Sequence, residues 1–216
     1  MDTREFENLI TACLEVAGLF PEGVVFIGGI AVYMHATNVA ETIALAEFTH
    51  DADFYISFAD MGDLRDIEEV TANRRLSKHQ MIKRGFEFDI YTERQSTLIV
   101  PYDVVLAASS VIGGMRIASL EHLLVLKLEA FHDRKDSAKG DKDAKDVIRI
   151  AAVATRGPQK FRAARAAPYL TDEHLPLLSR VEKGPYAMSL ARGNAMQAKQ
   201  LRQDLSAIIA QLRRVE

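Results

Sequence analysis

Asp51-Ala52-Asp53 sets two carboxylates one residue apart in a segment, Asp51-Ala-Asp-Phe-Tyr-Ile56, whose make-up predicts a β-strand. Successive side chains of a strand point to opposite faces, so Asp51 and Asp53 share one. Two neighbouring carboxylates repel unless a positive charge lies between them. A divalent cation is the simplest such charge, and Mg²⁺ (or Mn²⁺) prefers carboxylate and phosphate oxygens. Just upstream, Gly28-Gly29 follows a short apolar run and opens backbone N–H groups to close approach by phosphate. The combination predicts a site for a metal-bound nucleoside triphosphate. A third acid comes from Phe86-Glu-Phe-Asp-Ile-Tyr91, where alternation puts Glu87, Asp89 and Tyr91 on one face and Phe86, Phe88 and Ile90 on the other. If that strand lies beside the Asp51 strand, Asp89 completes the cluster. A carboxylate in so apolar a strand needs a partner, because burying an unpaired charge is costly. Three carboxylates around Mg²⁺ suit phosphoryl or nucleotidyl transfer, with Asp89 as metal ligand and as base for an acceptor hydroxyl.

The elements that must hold these residues follow from hydrophobic period. Phe6, Leu9, Ile10, Cys13, Leu14 and Ala17 recur at helical spacing and predict a helix over 3–18. Val24–Ile27 reads as a buried strand and Ile30–Ala36 as a helix starting at the glycines, while 37–48 fits either a helix extension or a loop. A helix is predicted over 60–77, with Leu64, Ile67 and Val70 inward. Strands follow near 80–83 and 86–92, joined by a turn at Arg84-Gly85, with further strands at 97–100 and 115–118 around a short helix at 102–110. From Ser119, a good N-cap, the period becomes helical: Leu120, Leu123, Leu124, Leu126, Leu128 and Phe131 form an apolar helix. A loop over 133–140 and a helix capped by Asp141 come next. Pro158, Pro168, Pro176 and Pro185 divide shorter helices, and a last helix spans about 194–213. The prediction is an α+β (α/β) chain: a mixed β-sheet flanked by helices over residues 1–118, then a helical C-terminal part over 119–216.

Bulk properties narrow the function classes. With 216 residues and a formal net charge of -3, the balance argues against a strongly nucleic-acid-coated protein, although Arg156, Lys160, Arg162 and Arg165 form a local basic track that an RNA could use. A single cysteine, Cys13, forbids an internal disulfide and fits a reducing compartment. The N-terminus carries no basic-then-apolar leader pattern. The longest apolar stretch, Gly23 to Met34, is too short to span a bilayer, so a cytoplasmic protein with no membrane partner is expected.

Phe26-Ile-Gly-Gly-Ile-Ala-Val-Tyr33, Thr49-His-Asp-Ala-Asp53 and Glu87-Phe-Asp89, in that order, resemble the core of the DNA polymerase β-type nucleotidyltransferase superfamily. Ser119-Leu-Glu-His-Leu-Leu-Val-Leu-Lys127, Arg134 and Lys142-Asp-Ala-Lys-Asp146 resemble the second half of its AbiEii-like branch, which includes toxins of toxin–antitoxin and phage-defence systems. The resemblance implies a nucleotidyltransferase-like fold and a metal-dependent enzyme. Its reaction would move a nucleoside monophosphate from ATP or another NTP to a hydroxyl of an RNA or tRNA end, a protein or a small molecule, with an antitoxin as partner. It implies that Gly28 and Gly29 hold the triphosphate, that Asp51, Asp53 and Asp89 bind Mg²⁺, and that Lys127 reaches the nucleotide phosphates. It also implies that Lys142, Asp143 and Asp146, which fall in the late motif, would orient Lys127 or the nucleotide. A leucine-flanked Lys127 with a buried stem and a charged tip is consistent with that role. The family commonly has arginine where this chain has Glu47, which favours the alternative: a catalytically degenerate binding or interaction module of the same fold. His50 alternates away from the two aspartates and is expected to pack, or to support a ligand from behind, rather than to ligate.

Overall fold

The computed structural model describes residues 1–73, 78–94 and 98–215, and the parts of the expected helix and strand that fall on 74–77 and on Thr97 lie outside them. The chain divides into two compact units, Met1–Met34 with Glu47–Ser119, and His35–Ala46 with Leu120–Glu216.

The first unit is built on a sheet that among the described residues has seven strands: β1 (Val25–Ile27), β2 (Asp51–Ile56), β3 (Val70–Asn73), β4 (Lys78–Lys83), β5 (Phe86–Thr92), β6 (Ser110–Ile112) and β7 (Met115–Ile117). They lie side by side in the order β3-β4-β5-β2-β1-β7-β6. β2 runs parallel to β5 and antiparallel to β1, and β1 runs parallel to β7, so the sheet is mixed as expected. All three residues of the apolar β1 are buried, which suits a strand covered on both faces. β2 and β5 alternate. One face carries Phe26, Phe54 and Phe88 in a lateral row, with ring centroids 5.9 and 6.3 Å apart. The other carries Asp51, Asp53 and Tyr55 in register with Glu87, Asp89 and Tyr91. Such alternation locks the register, because a slip of one residue would drive aspartates into the phenylalanine row.

Helix α1 (Thr3–Leu19) starts where the Asp2 side chain accepts from Glu5 N at 2.8 Å, and it buries Phe6, Leu9, Cys13 and Val16. Burial pushes the Cys13 thiol up to about 12, so it behaves as a small apolar side chain. Helix α2 (Gly28–Thr37) follows β1 directly. The helix expected over 60–77 is shorter: α3 (Phe58–Ile67) is capped by Ser57, ends before Glu68, and Val70 begins β3 instead. Leu64, Ile67 and Val70 fit a helical stripe by spacing, yet Ile67 is 57% exposed. The backbone of Val70–Asn73 finds ladder partners on β4 that a helix would forgo. The helix expected over 102–110 is shorter: α4 (Tyr102–Ala108) ends before Ser109, and Ser110 begins β6. Gly113 and Gly114, with φ of +59° and +85°, close a β6–β7 hairpin. The described residues 98–100 form no strand. Val100 is buried, and its carbonyl accepts from the Tyr55 hydroxyl at 2.8 Å. Burial pushes the Tyr55 phenol well above its ordinary value, so it remains a donor at any working pH. Tyr55→Phe strands that carbonyl and is expected to cost about 1–3 kcal/mol, read by chemical denaturation.

The second unit is helical. It contains α5 (Leu120–Arg134), α6 (Ala138–Arg156), α7 (Ala163–Ala166), α8 (His174–Lys183), α9 (Tyr186–Leu190) and α10 (Ala195–Leu212). α5 is buried nearly all round, from Leu120 to Leu128 and again at Phe131, and forms the centre of the unit. Residues Ala40–Leu45, left open by the sequence, form a 3₁₀ turn in this unit, with Thr42 Oγ1 donating to Ala36 O at 2.9 Å. The cap of α6 is Ser137, which accepts from Gly140 N at 3.2 Å, so Asp141 sits in the first turn and the connection from α5 is shorter than expected. Among the described residues no helix is long and apolar enough to cross a membrane.

Candidate functional site

β1 ends at Ile27, which pairs with Asp53 across the antiparallel ladder. The chain then turns at Gly28, with φ of +67°, into the first turn of α2. A Cβ placed on Gly28 would lie 2.0 Å from Asp53 Oδ2, and one on Gly29 would lie 2.9 Å from Thr49 Oγ1. Both glycines are therefore required by side chains that press on the corner, and Gly28 also by its backbone angle. The Asp53 carboxylate sits against the N-terminal backbone of a helix, where negative charge is favoured. Thr49, only 1% exposed, donates from Oγ1 to Asp51 Oδ1 at 2.7 Å and so orients that carboxylate.

Asp89 is the direct neighbour of Asp53 on the parallel strand β5, and Glu87 is the neighbour of Asp51. The partner that a carboxylate in this strand requires comes from β4. Lys78 Nζ bonds Asp89 Oδ2, and Gln80 Nε2 donates to Asp89 Oδ1 at 2.9 Å. The Lys78 and Asp89 side chains are 12% and 14% exposed. Gln80 is itself held by Asn73 Nδ2 at 3.0 Å and also reaches Glu87. Sequence reasoning missed Thr49, Lys78 and Gln80 as partners. A signal for the last two existed: Arg84 and Gly85, with φ of +52° and +82°, close a two-residue hairpin, and counting back from it sets Gln80 opposite Asp89.

Gly28, Gly29, Asp51, Asp53 and Asp89 thus come together on one sheet face and its β1–α2 corner. Among the described residues, however, no group of three or more His, Cys, Asp or Glu side chains is arranged to hold a metal ion. The hard oxygens of Asp51 and Asp53, beside a glycine corner with no side chain of its own, fit Mg²⁺ or Mn²⁺, which takes one or two carboxylates and completes its shell with water and phosphate. His50 is exposed rather than packed.

Lys127, Asp143 and Asp146 form a cluster within the second unit. Lys127, 7% exposed, has Nζ 2.7 Å from Asp146 Oδ2 and 3.3 Å from Asp143 Oδ1. Asp143 also takes Arg134 Nε at 2.6 Å, and Asp146 takes Arg149 Nη1 at 2.7 Å. Burial alone would push the Asp146 carboxyl up. Lys127 and Arg149 together outweigh it and hold that carboxyl below the usual carboxylate range. Arg149 Nε is anchored on Leu45 O at 2.8 Å. Lys142 is half-buried on α6 next to Asp143. Of the basic track, Lys160, Arg162 and Arg165 are exposed, while Arg156 bonds Asp204 through Nε at 3.0 Å.

No family model matches the chain, and no curated protein matches it. Its fold does match solved structures. An antigenic nucleotidyltransferase-like protein from Paracoccidioides brasiliensis aligns with a TM-score of 0.52 at 17% identity, over 89% of this chain and 94% of that one. JHP933 from Helicobacter pylori aligns at 0.52 and 16% identity, over 99% and 95%. An H. pylori protein described as a candidate nucleotidyltransferase aligns at 0.50 and 15%, over 100% and 99%. The chain has a nucleotidyltransferase-like fold, and identities this low speak to the fold alone.

Proposed function

We propose that the chain is a metal-dependent nucleotidyltransferase that moves a nucleoside monophosphate from an NTP to a hydroxyl acceptor. The observation that carries this reading is the placement of Asp53 beside both Asp89 and the Gly28 corner, with Asp51 two residues away on the same face. In this proposal the Gly28-Gly29 backbone binds the triphosphate, and Asp51 and Asp53 hold Mg²⁺. Bound there, the metal would offset the charge that develops on the phosphates. The acceptor oxygen bonds to the α-phosphorus, the bond to the bridging oxygen breaks, and pyrophosphate leaves. Asp89 faces the acceptor and takes the hydroxyl proton. An RNA end is the acceptor class to test first, given the exposed Lys160, Arg162 and Arg165. A toxin role with an antitoxin partner is the biological setting that the AbiEii-like motifs suggest, and Lys127, Lys142, Asp143 and Asp146 carry that part of the proposal.

The test is transfer of label from α-³²P NTPs into RNA, protein or small hydroxyl acceptors. Asp51→Asn and Asp53→Asn are each expected to cut transfer by at least about 100-fold. Transfer that survives both changes sinks the reading. The second reading, a degenerate module, is favoured by the Lys78 ammonium on Asp89. It predicts metal-dependent thermal stabilisation by an NTP with no pyrophosphate released.

A further inference from the structure

We propose that Lys78 is the built-in counter-cation of Asp89, so that the carboxylate face takes one divalent ion, at Asp51 and Asp53, where an Asp89 without that cation would invite a second. The inference rests on the nucleotide-site reading above and specifies its metal count. Both Asp89 oxygens receive donors from β4: Oδ2 from the Lys78 ammonium and Oδ1 from Gln80 Nε2 at 2.9 Å. Gln80 is in turn held by Asn73, and β4 is held in register with β5 from His79 opposite Ile90 to Lys83 opposite Phe86, and with β3 through Lys78 opposite Asn73. Asp89 is therefore gripped by a strand, not by a loose surface side chain.

A second divalent ion at Asp89 would have to displace an ammonium whose side chain is only 12% exposed. Displacement would leave that charge part-buried without its partner, next to two further positive charges on the incoming metal. Two-metal sites work because paired ions clamp the attacking and leaving oxygens. Here one of those positive charges is supplied by the chain itself. Lys78 thereby acts as a positioning residue. It fixes Asp89 on the acceptor side and sets how many ions the site admits.

The experiment counts bound Mn²⁺ by electron paramagnetic resonance, on the full chain with a non-hydrolysable α,β-methylene NTP. The wild type is expected to bind one Mn²⁺ and Lys78→Met two. Asp89→Asn, which leaves the ammonium in place and removes the charge it answers, is expected to keep one. Should Lys78→Met fail to fold, the double change Lys78→Met with Asp89→Asn removes both charges and is expected to bind one. Two Mn²⁺ in the wild type, one in a folded Lys78→Met, or loss of the ion in Asp89→Asn or in the double variant overturns the role of Lys78 while the nucleotide site stands. No bound Mn²⁺ in the wild type overturns both.

Discussion

Asp146→Ala is expected to destabilise the helical unit by about 3–5 kcal/mol, measured by urea denaturation followed by circular dichroism. Asp146 is 2% exposed and lies between two cations, Lys127 Nζ and Arg149 Nη1, each at 2.7 Å. Those cations are also buried, at 7% and 3% exposure, so removing the carboxylate leaves positive charge away from water. Asp143 compensates only in part, because its contact to Lys127 is the longer one, 3.3 Å, and Arg134 already claims it. The same pairing sets a pH dependence. The Asp146 carboxyl is held below its unfolded value, which is about 3.9. The folded state therefore binds the proton less readily than the unfolded one. The stabilisation is complete above the unfolded value and fades as pH falls through the folded one. Asp146→Asn is expected to flatten the acid limb of the stability profile, whereas an unchanged limb would remove Asp146 from its causes.

Gly28→Ala is the second large effect. At φ of +67° an alanine costs about 1–2 kcal/mol from backbone sterics alone. Its Cβ would also stand 2.0 Å from Asp53 Oδ2 and 2.8 Å from Cγ, so the carboxylate must move or the corner must open. We expect a loss of about 2–4 kcal/mol in all and the disappearance of any Mn²⁺- and NTP-dependent rise in Tm. Gly62→Ala in α3, where an added Cβ meets nothing within 4 Å, is the matched control and is expected to be neutral or slightly stabilising. A Gly28→Ala protein that kept its ligand-dependent Tm shift would show that the corner does not serve the site.

The sheet face was legible in the sequence because alternation leaves few choices. Asp51, Asp53 and Asp89 had to share faces with Tyr55 and Tyr91 once their segments were strands. The glycine corner was legible for only part of its reason. Phosphate access was the argument, whereas the pressure from Asp53 and Thr49 needs the tertiary structure. The helix over 60–77 failed because three apolar residues at helical spacing cannot tell a helix from a helix followed by a strand, and β4 decides it by supplying ladder partners. Residues 40–45 stayed open because their contacts lie far along the chain: Arg149 reaches Leu45 across 104 residues. The motif named Lys127, Asp143 and Asp146, but the ion pairs among them and with Arg134 and Arg149 could be seen only in three dimensions.

The Lys78–Asp89 pair spans 11 residues inside a single hairpin, whereas β5 meets β2 only across a far longer segment. Loop closure favours the short contact, so the hairpin can quench its own acid before the two parallel strands find each other. Like-charge crowding along that late seam is then eased before docking, and the chain approaches its hardest pairing step carrying less repulsion than its composition suggests.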